Sequence, residues 1–559
     1  MMPQPNDQKL RGGYYTPQPI ADFLARWAIR SPVTEVLEPS CGDGNILVAA
    51  AQRLLALNAP PSTLPGLLHS VELDPQEASK AIRRLQSLGM PLTAHNIAHV
   101  GDFFAYCQRH LFGEKVLTFV LKERQHFDAV IGNPPFIRYQ NFPEAHRQVA
   151  FSLMEQAGLH PSRLTNAWLP FLVVGSLLLK EGGRLAMVIP AELFQVNYAA
   201  EVRQFLSDYY SRVTLVTFQQ LVFDGIQQEV VLLLAEHNHT PNGGIRCIEL
   251  NDIEDLDTLT SARLDAIELK PMDHSTEKWT QYFLEVDEIR LLREMRHHPH
   301  ITPANRVLEV DVGIVTGHNG FFVLTQHQVK TYNLEPYLER MVSRSGHLNG
   351  AIFGAADWQN NVEAQLRAFL FIPADVPVDE LPRSLQRYIA LGEEKGFHKG
   401  YKCRIRPRWY IVPSVWIPDA FMLRQVHAYP KLVLNTAQAV CTDTIHRVRF
   451  LDSIDGRAVT AAFLNSLTFA FAEVTGRSYG GGVLTFEPSE VETLPLPLIG
   501  AEQINLNHID QLLRSDGIDA VLEITDSVLL MQGLGLSKSQ VKTLRRIWTK
   551  LRDRRTNRK

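Results

Sequence analysis

Val33-Thr-Glu-Val-Leu-Glu-Pro-Ser-Cys-Gly-Asp-Gly-Asn45 is the stretch whose reading decides the fold. A β-branched run, Val33 to Leu37, meets a glycine-bearing loop and then an apolar helical pattern, Asn45 to Leu57. The unit recurs as Leu67 to Leu73 followed by Pro75 to Leu88. Strand, helix, strand, helix predicts an α/β domain, a parallel sheet covered by helices. Strand-like runs at His126 to Gly132, Gly183 to Ile189, Val213 to Phe218 and Val230 to Leu234 extend it. Trp168 to Lys180 reads as a helix apolar almost all round, which has to pack on the sheet. The regular region is expected to end near Glu236, before the turn-rich His237-Asn-His-Thr-Pro-Asn-Gly-Gly.

The chain has 559 residues, 45% hydrophobic and 21% charged, which is the composition of a globular protein. Lys and Arg number 56 against 60 Asp and Glu, so the chain is no general polycation and meets any anionic partner through local patches. Cys41, Cys107, Cys247, Cys403 and Cys441 lie far apart without a C-x-x-C pair. That spacing argues against a disulfide framework or a cysteine zinc site and for a reducing, cytoplasmic setting. No membrane-length apolar run is present, and the first residues do not read as an export signal.

Beyond Pro303 the texture changes to short apolar runs broken by Gly, Pro and Asn. Strand-like segments at Gly313 to Val315, Phe321 to Leu324, Lys431 to Asn435 and Val483 to Phe486 predict a second domain, mixed α/β or mainly β. After Gly500 the pattern is helical, and Lys538 to Lys559 holds ten Lys or Arg against one acid, Asp553. The expected organisation is 1–245, a connecting segment 246–302, 303–500, and a helical basic tail 501–559.

Gly42 and Gly44 let backbone approach a ligand at the carboxyl edge of the sheet. Leu47 stands where a dinucleotide fingerprint needs a third small residue, so nothing here is shaped for a pyrophosphate. The second strand ends in Ser70-Val-Glu-Leu-Asp-Pro, and Glu72 is placed to accept from two ribose hydroxyls. Together these imply a nucleoside-containing cofactor. In Val100-Gly-Asp-Phe-Phe, Asp102 and Phe103 offer an acceptor and a flat apolar face to an adenine; the plainer alternative is a helix cap and a core aromatic. Asp128-Ala-Val-Ile-Gly-Asn-Pro-Pro-Phe136 is a strand followed by Asn133, two prolines and an aromatic. Prolines withhold N–H groups and leave carbonyls, so this site is rich in acceptors suited to an amino group.

Asn133-Pro-Pro-Phe, downstream of Leu37-Glu-Pro-Ser-Cys-Gly-Asp-Gly and the Glu72 strand, resembles the S-adenosylmethionine-dependent amino-methyltransferases, particularly the DNA adenine-N6 enzymes. Gly12-Gly-Tyr-Tyr-Thr-Pro-Gln-Pro-Ile-Ala resembles the segment that closes over the methionine end of the cofactor. With recognition placed C-terminally, the order is that of the gamma, TaqI-like class. The resemblance covers most of residues 12–235. It is weaker at Gly313-Ile-Val-Thr-Gly-His-Asn-Gly-Phe-Phe, Tyr429-Pro-Lys-Leu-Val and Ser478-Tyr-Gly-Gly-Gly-Val-Leu-Thr-Phe-Glu-Pro, which are similar to target-recognition domains.

The resemblance implies a Rossmann-like methyltransferase sheet with helices on both faces, and S-adenosylmethionine bound by Tyr15, Thr16, Pro17, Glu38, Ser40, Gly42, Gly44, Glu72, Leu73, Asp102, Phe103 and Asn133. Asn133, Pro134, Pro135 and Phe136 would be catalytic: the Asn133 oxygen and the Pro134 carbonyl accept from an adenine N6 amine, and the base, extruded from duplex DNA, stacks on Phe136. Phe194 or Tyr198 would supply a second face, although both also fit an ordinary helix start. No metal is expected.

Lys402, Arg404, Arg406 and Arg408 alternate, which on an extended strand places four cations on one face for DNA contact; a charged edge strand is the competing reading. His237-Asn-His239 and His297-His-Pro-His300 read as loops rather than nuclease or metal sites. Only a dozen or so residues precede Tyr15, so the expectation is a modification enzyme without its own nuclease, with a separate endonuclease or defence subunit as a candidate partner. The alternatives are an RNA or protein-glutamine N-methyltransferase, or a non-catalytic DNA-binding subunit.

Overall fold

The computed structural model describes residues 15–89, 98–111, 126–223, 229–238, 243–275, 277–479 and 481–557. Residues 12–14 of the predicted cofactor-closing segment, and His239 to Asn242 of the turn-rich stretch, lie outside the described residues. The chain divides into two compact units, one running to Phe283 and the other over Leu284–Thr556.

In the first unit eight strands form one sheet: β1 (Val36–Glu38), β2 (Leu68–Glu72), β3 (Ala98–Val100), β4 (Phe127–Gly132), β5 (Leu179–Pro190), β6 (Arg212–Phe218), β7 (Val230–Glu236) and β8 (Gly244–Leu250). Their order is β3-β2-β1-β4-β5-β7-β6-β8. The first five strands are mutually parallel, and β7 runs antiparallel between β5 and β6. Such mixed sheets carry their ligands where the strand order reverses, here at the carboxyl ends of β1 and β4.

Helices cover the sheet as the apolar patterning requires. Residues of Trp168–Leu177 are buried on every side, and a Cβ on Gly175 would lie 3.0 Å from Met187 Cε and 3.3 Å from Val130 Cγ1, so the helix backbone seats directly on β4 and β5. This helix stops at Leu177, short of the expected Lys180, because β5 begins at Leu179. The first strand is also shorter than expected: Ser31 O accepts from Thr34 N and Thr34 Oγ1, a turn that leaves Val33 exposed. Nor does the sheet end at Glu236, since β8 pairs in parallel with β6 along its whole length.

The second unit is mixed α/β. A five-stranded sheet joins Leu308–Val312, Ile445–Phe450, Ala420–Leu423, Leu432–Asn435 and Ile352–Phe353, and a four-stranded sheet is built around Leu338–Val342 and Phe369–Phe371. Gly313 follows its strand instead of opening one, and Phe321 and Phe322 belong to a helical turn whose amides donate to His318 O. The last strand-like run ends at Thr485, and Lys431 precedes its strand, buried, with Nζ donating to Leu348 O at 2.6 Å.

The predicted strand of alternating cations is absent. Tyr401–Arg404 is a helical turn with Cys403 buried, and Arg404 N and Arg406 N donate to Gly400 O and Cys403 O. The cations are therefore distributed around a coil and not aligned on one face. The basic C-terminal stretch is a helix, Lys538–Thr556, that buries Val541, Leu544, Ile547, Trp548 and Leu551. Arg545 pairs with Asp519 and Glu523, Arg546 and Lys550 with Glu288, and Arg555 with Glu473, so much of its charge is neutralised within the unit.

Candidate active site

A cleft of about 800 Å³ opens at the carboxyl ends of β1, β2 and β4. It draws together Tyr15, Thr16, Glu38, Ser40, Gly42, Glu72, Leu73, Asp102, Phe103, Asn133 and Pro135 of the residues singled out in the sequence.

The loop after β1 turns tightly, with Gly44 N donating to Cys41 O at 2.8 Å. Gly44 has φ +85°, and a Cβ there would lie 2.7 Å from Ala81 Cβ, so its role is to let the loop pack on the helix Pro75–Gln86. Glu72 clamps this arrangement: Oε2 accepts from Gly42 N and Oε1 from Asp74 N, both at 2.8 Å. Each oxygen retains a lone pair for a ligand hydroxyl.

The cleft is acidic and reluctant to be so. Glu38 is 2% exposed, and its Oε2 has no hydrogen-bond partner among the described residues. Burial pushes its carboxyl well above the usual range, and the neighbouring Glu72 and Asp43 push it further. Burial also raises Glu72 and Asp43, against the backbone N–H groups on Glu72 and the Arg84 guanidinium beside Asp43. A buried carboxyl with an unpartnered oxygen, crowded by two others, favours a ligand that brings positive charge and donors.

On the β3 side, Asp102 Oδ1 accepts from Ala105 N at 2.9 Å, capping a short helix, while Oδ2 lies 3.4 Å from His146 Nδ1. Phe103 stacks on Phe171, centroids 5.2 Å apart and planes 10° apart. Both residues line the cleft as well, so cap and core roles coexist with a ligand-facing position. One part of the wall was not found from the sequence: Asn141, Phe142, Pro143, His146 and Phe171 come from the segments after β4. Nothing in their local pattern marks them, because they are an ordinary turn, a helix start and a core aromatic.

Asn133 ends β4. Its Nδ2 donates to Thr16 Oγ1 at 3.1 Å, and its carbonyl accepts from Ser40 Oγ at 3.4 Å. Thr16 in turn is held by Asn45 Nδ2, which donates to Thr16 O at 2.9 Å, and Tyr15 OH donates to Glu77 Oε2 at 3.1 Å. The segment at 15–17, the glycine loop and the Asn-Pro-Pro motif are thus one hydrogen-bonded unit.

Other predicted residues sit elsewhere. Pro17 caps the helix Gln18–Ala28, and Pro134 is buried. Phe136 is half-buried and packs against the apolar core of the sheet. Phe194 is buried against Phe283, centroids 5.0 Å apart, and the Tyr198 hydroxyl bonds Glu192 and Asn166, so neither lines the cleft. In the second unit, Lys402 and Arg404 are exposed with no carboxylate within 4.0 Å among the described residues. Arg406 instead donates to Thr316 O and Val315 O, both at 2.8 Å, and Arg408 pairs with Asp375 at 2.7 Å. Among the described residues no group of three His, Cys, Asp or Glu is arranged for a metal, and the five cysteines are free thiols. No single described helix is long and apolar enough to cross a membrane.

The acidic cleft lies at the sheet's switch point, with the Asn-Pro-Pro-Phe segment at its edge. The chain belongs to the family described as N-6 DNA Methylase, which matches residues 3–294, and it is a site-specific adenine DNA methyltransferase. Residues 276–530 match the C-terminal domain of Type II methyltransferase M.Eco57I. Type II methyltransferase M.AccI of Acinetobacter calcoaceticus is 20% identical, the match covering 86% of this chain and 84% of that one. M.XamI of Xanthomonas campestris pv. amaranthicola is 22% identical over 87% and 85%. Among solved structures, the type IIL restriction-modification enzyme MmeI in complex with DNA shares the fold, with TM-score 0.55 and 11% identity over 94% of this chain and 73% of that chain.

Proposed function

We propose that the protein transfers a methyl group from S-adenosylmethionine to the N6 amine of an adenine extruded from a specific duplex DNA sequence, as the modification enzyme of a restriction-modification or related defence system in the cytoplasm. The observation that carries this reading is Asn133, fixed by Thr16 at the edge of the acidic cleft. In this reading residues 1–245 catalyse and 303–500 recognise the target, linked by 246–302 and followed by 501–559. A separate endonuclease or defence subunit is the cellular counterpart such an enzyme calls for.

S-adenosylmethionine, when bound, supplies an electrophilic sulfonium methyl. The residues present fit it: Glu72 would accept from the ribose hydroxyls, Asp102 and Phe103 would receive the adenine, and the unpartnered Glu38 oxygen would meet the cationic end, with Tyr15, Thr16, Ser40, Gly42 and Leu73 in the cleft wall and Pro17 and Gly44 holding the segments beside them. An exocyclic amine on a purine is a poor nucleophile because its lone pair is delocalised into the ring. By accepting from both N6 protons, Asn133 Oδ1 and the Pro134 carbonyl would favour a pyramidal nitrogen and free that lone pair to form the N–C bond as the S–C bond breaks, the sulfur leaving as a neutral thioether and the surplus N6 proton passing to solvent. The contribution is positioning and preorganised acceptors. Extruding the base costs a few kcal/mol, offset by stacking of about 1–3 kcal/mol, for which Phe136 is the candidate face.

The experiment is transfer of labelled methyl to duplex DNA, RNA and protein in parallel, followed by sequencing of methylated positions in DNA from cells expressing this chain alone. Label on duplex DNA at one adenine-containing sequence is the expected result; label only on RNA or protein overturns the reading.

A further inference from the structure

Leu164 is 65% exposed. A scattered surface leucine needs no explanation, but this one stands on a fixed turn beside the cleft. Ser162 N donates to Thr165 Oγ1 at 2.8 Å, Leu164 N to Ser162 Oγ at 3.2 Å and Thr165 N to Ser162 O at 3.0 Å, and Thr165 is buried. The turn therefore holds its two middle residues, Arg163 and Leu164, out in solvent. It also leads into the cleft wall. Ala167, three residues on, lines the cleft and donates its N–H to Ile137 O at 2.9 Å; Ile137, in the same wall, follows Asn133-Pro-Pro-Phe. Three residues span at most about 11 Å, so Leu164 stands within about three base steps of a nucleotide held at that edge. Arg163 and Arg138, which follows Ile137, are exposed, and neither has a carboxylate within 4.0 Å among the described residues. Glu201 is taken up by the start of the same segment, where it accepts from His160 N at 2.6 Å.

We infer that Leu164 is a wedge that enters the duplex and fills the gap an extruded adenine leaves, with Arg163 and Arg138 on the flanking phosphates. The inference rests on the reading that the target base is extruded. An emptied place in the base stack leaves two flat apolar faces without a partner, and leucine is among the side chains that insert between base steps. It needs no hydrogen bond there, so it suits whichever bases flank the target. Phosphate attraction alone would call for the arginines and give no reason to hold an apolar side chain in water beside them. A turn braced by its own hydroxyls is preorganised, so little further ordering accompanies insertion.

The test uses the full chain, saturating S-adenosylmethionine and duplex DNA bearing the sequence methylated in cells. Leu164→Ala should lower the single-turnover rate about tenfold, the loss expected when most of one buried leucine side chain is forfeited. Leu164→Met, which can still insert, should stay within about threefold of wild type. A pyrene nucleotide opposite the target adenine is a flat group that fills the gap itself, and it should bring Leu164→Ala to within about threefold of wild type. A leucine that only packs its turn would show no such rescue. Arg163→Ala should lower the salt slope of DNA binding by about 1. The inference is overturned if Leu164→Ala matches wild type on paired duplex, if pyrene leaves its defect unchanged, or if Arg163→Ala leaves the salt slope unchanged. Wild-type protein that fails to brighten 2-aminopurine at the target position removes extrusion, and the inference falls with that reading; brightening by wild type beside a fully active Leu164→Ala overturns the Leu164 inference alone.

Discussion

Arg555 and Glu473 form a buried bidentate pair, Nε to Oε2 at 2.9 Å and Nη2 to Oε1 at 2.8 Å, that joins the C-terminal helix to the helix Ser466–Thr475. Arg555 also reaches Gly482 O, and Gly482, with φ +72°, is where a Cβ would lie 2.9 Å from Arg555 O. Removing one member leaves an uncompensated buried charge. Arg555→Ala should destabilise the protein by about 3–5 kcal/mol, read as a lower denaturant midpoint. A loss below about 1 kcal/mol would place the pair among solvent-screened bridges.

Asp526 supplies a pH dependence. Its Oδ1 and Oδ2 accept from Ser466 N and Oγ, yet burial pushes its carboxyl from 3.8 up to about 6. With the folded value above the unfolded one, the native state binds more protons across that window. Stability from this group is complete below about pH 4 and is lost as pH rises through about 6, amounting to about 3 kcal/mol. Asp526→Asn, whose amide still accepts from Ser466 N, should flatten the difference in urea stability between pH 4.5 and 7. An unchanged difference would remove Asp526 as its source.

Asn133 and Glu72 should separate chemistry from cofactor binding. Asn133→Ala should lower kcat by about a hundredfold or more with cofactor affinity nearly intact. Glu72→Ala should weaken cofactor affinity by about 1–3 kcal/mol, through the lost ligand hydrogen bonds and the released Gly42 and Asp74 amides. Calorimetry and single-turnover rates check both, and a Glu72→Ala affinity equal to wild type removes that residue from the site.

Phe136 packs against the sheet core yet belongs to the motif at the cleft edge. Phe136→Trp should retain much activity and Phe136→Ala lose about 1–3 kcal/mol of target binding, partly rescued by an abasic site opposite the adenine. 2-Aminopurine at the target should brighten on binding wild type and less with Phe136→Ala. Identical brightening would assign Phe136 to packing alone.

The four cations predicted to act together should separate. Lys402→Ala with Arg404→Ala should weaken DNA binding and lower the salt slope by about 2 without changing stability. Arg408→Ala, which breaks a pair with Asp375, should leave the salt slope unchanged. Equal effects from both would mean the pairing with Asp375 is absent in solution.

The sequence by itself determined the parallel strand–helix units, the glycine loop, Glu72, Asp102 and the Asn-Pro-Pro motif, because alternation, glycine turns and proline restrictions act within a few residues. Eleven of the predicted residues line one cleft, a meeting that the order of the strands in the sheet brings about. What only the tertiary structure decided has distant partners. The cations at 402–408 were read as a strand because alternation is a weak signal when a buried Cys403 and capping carbonyls from Gly400 can coil the chain instead. Phe194 and Tyr198 carry no local mark of the Phe283, Glu192 and Asn166 contacts that take them from the cleft. The C-terminal cations looked free until Glu288, Asp519, Glu523 and Glu473 were brought beside them. The Thr16–Asn133 bond spans 117 positions, and no short-range preference encodes it: the segment before the helix Gln18–Ala28 is held by Asn45, which follows the β1 loop, and β1 lies beside β4 in the sheet.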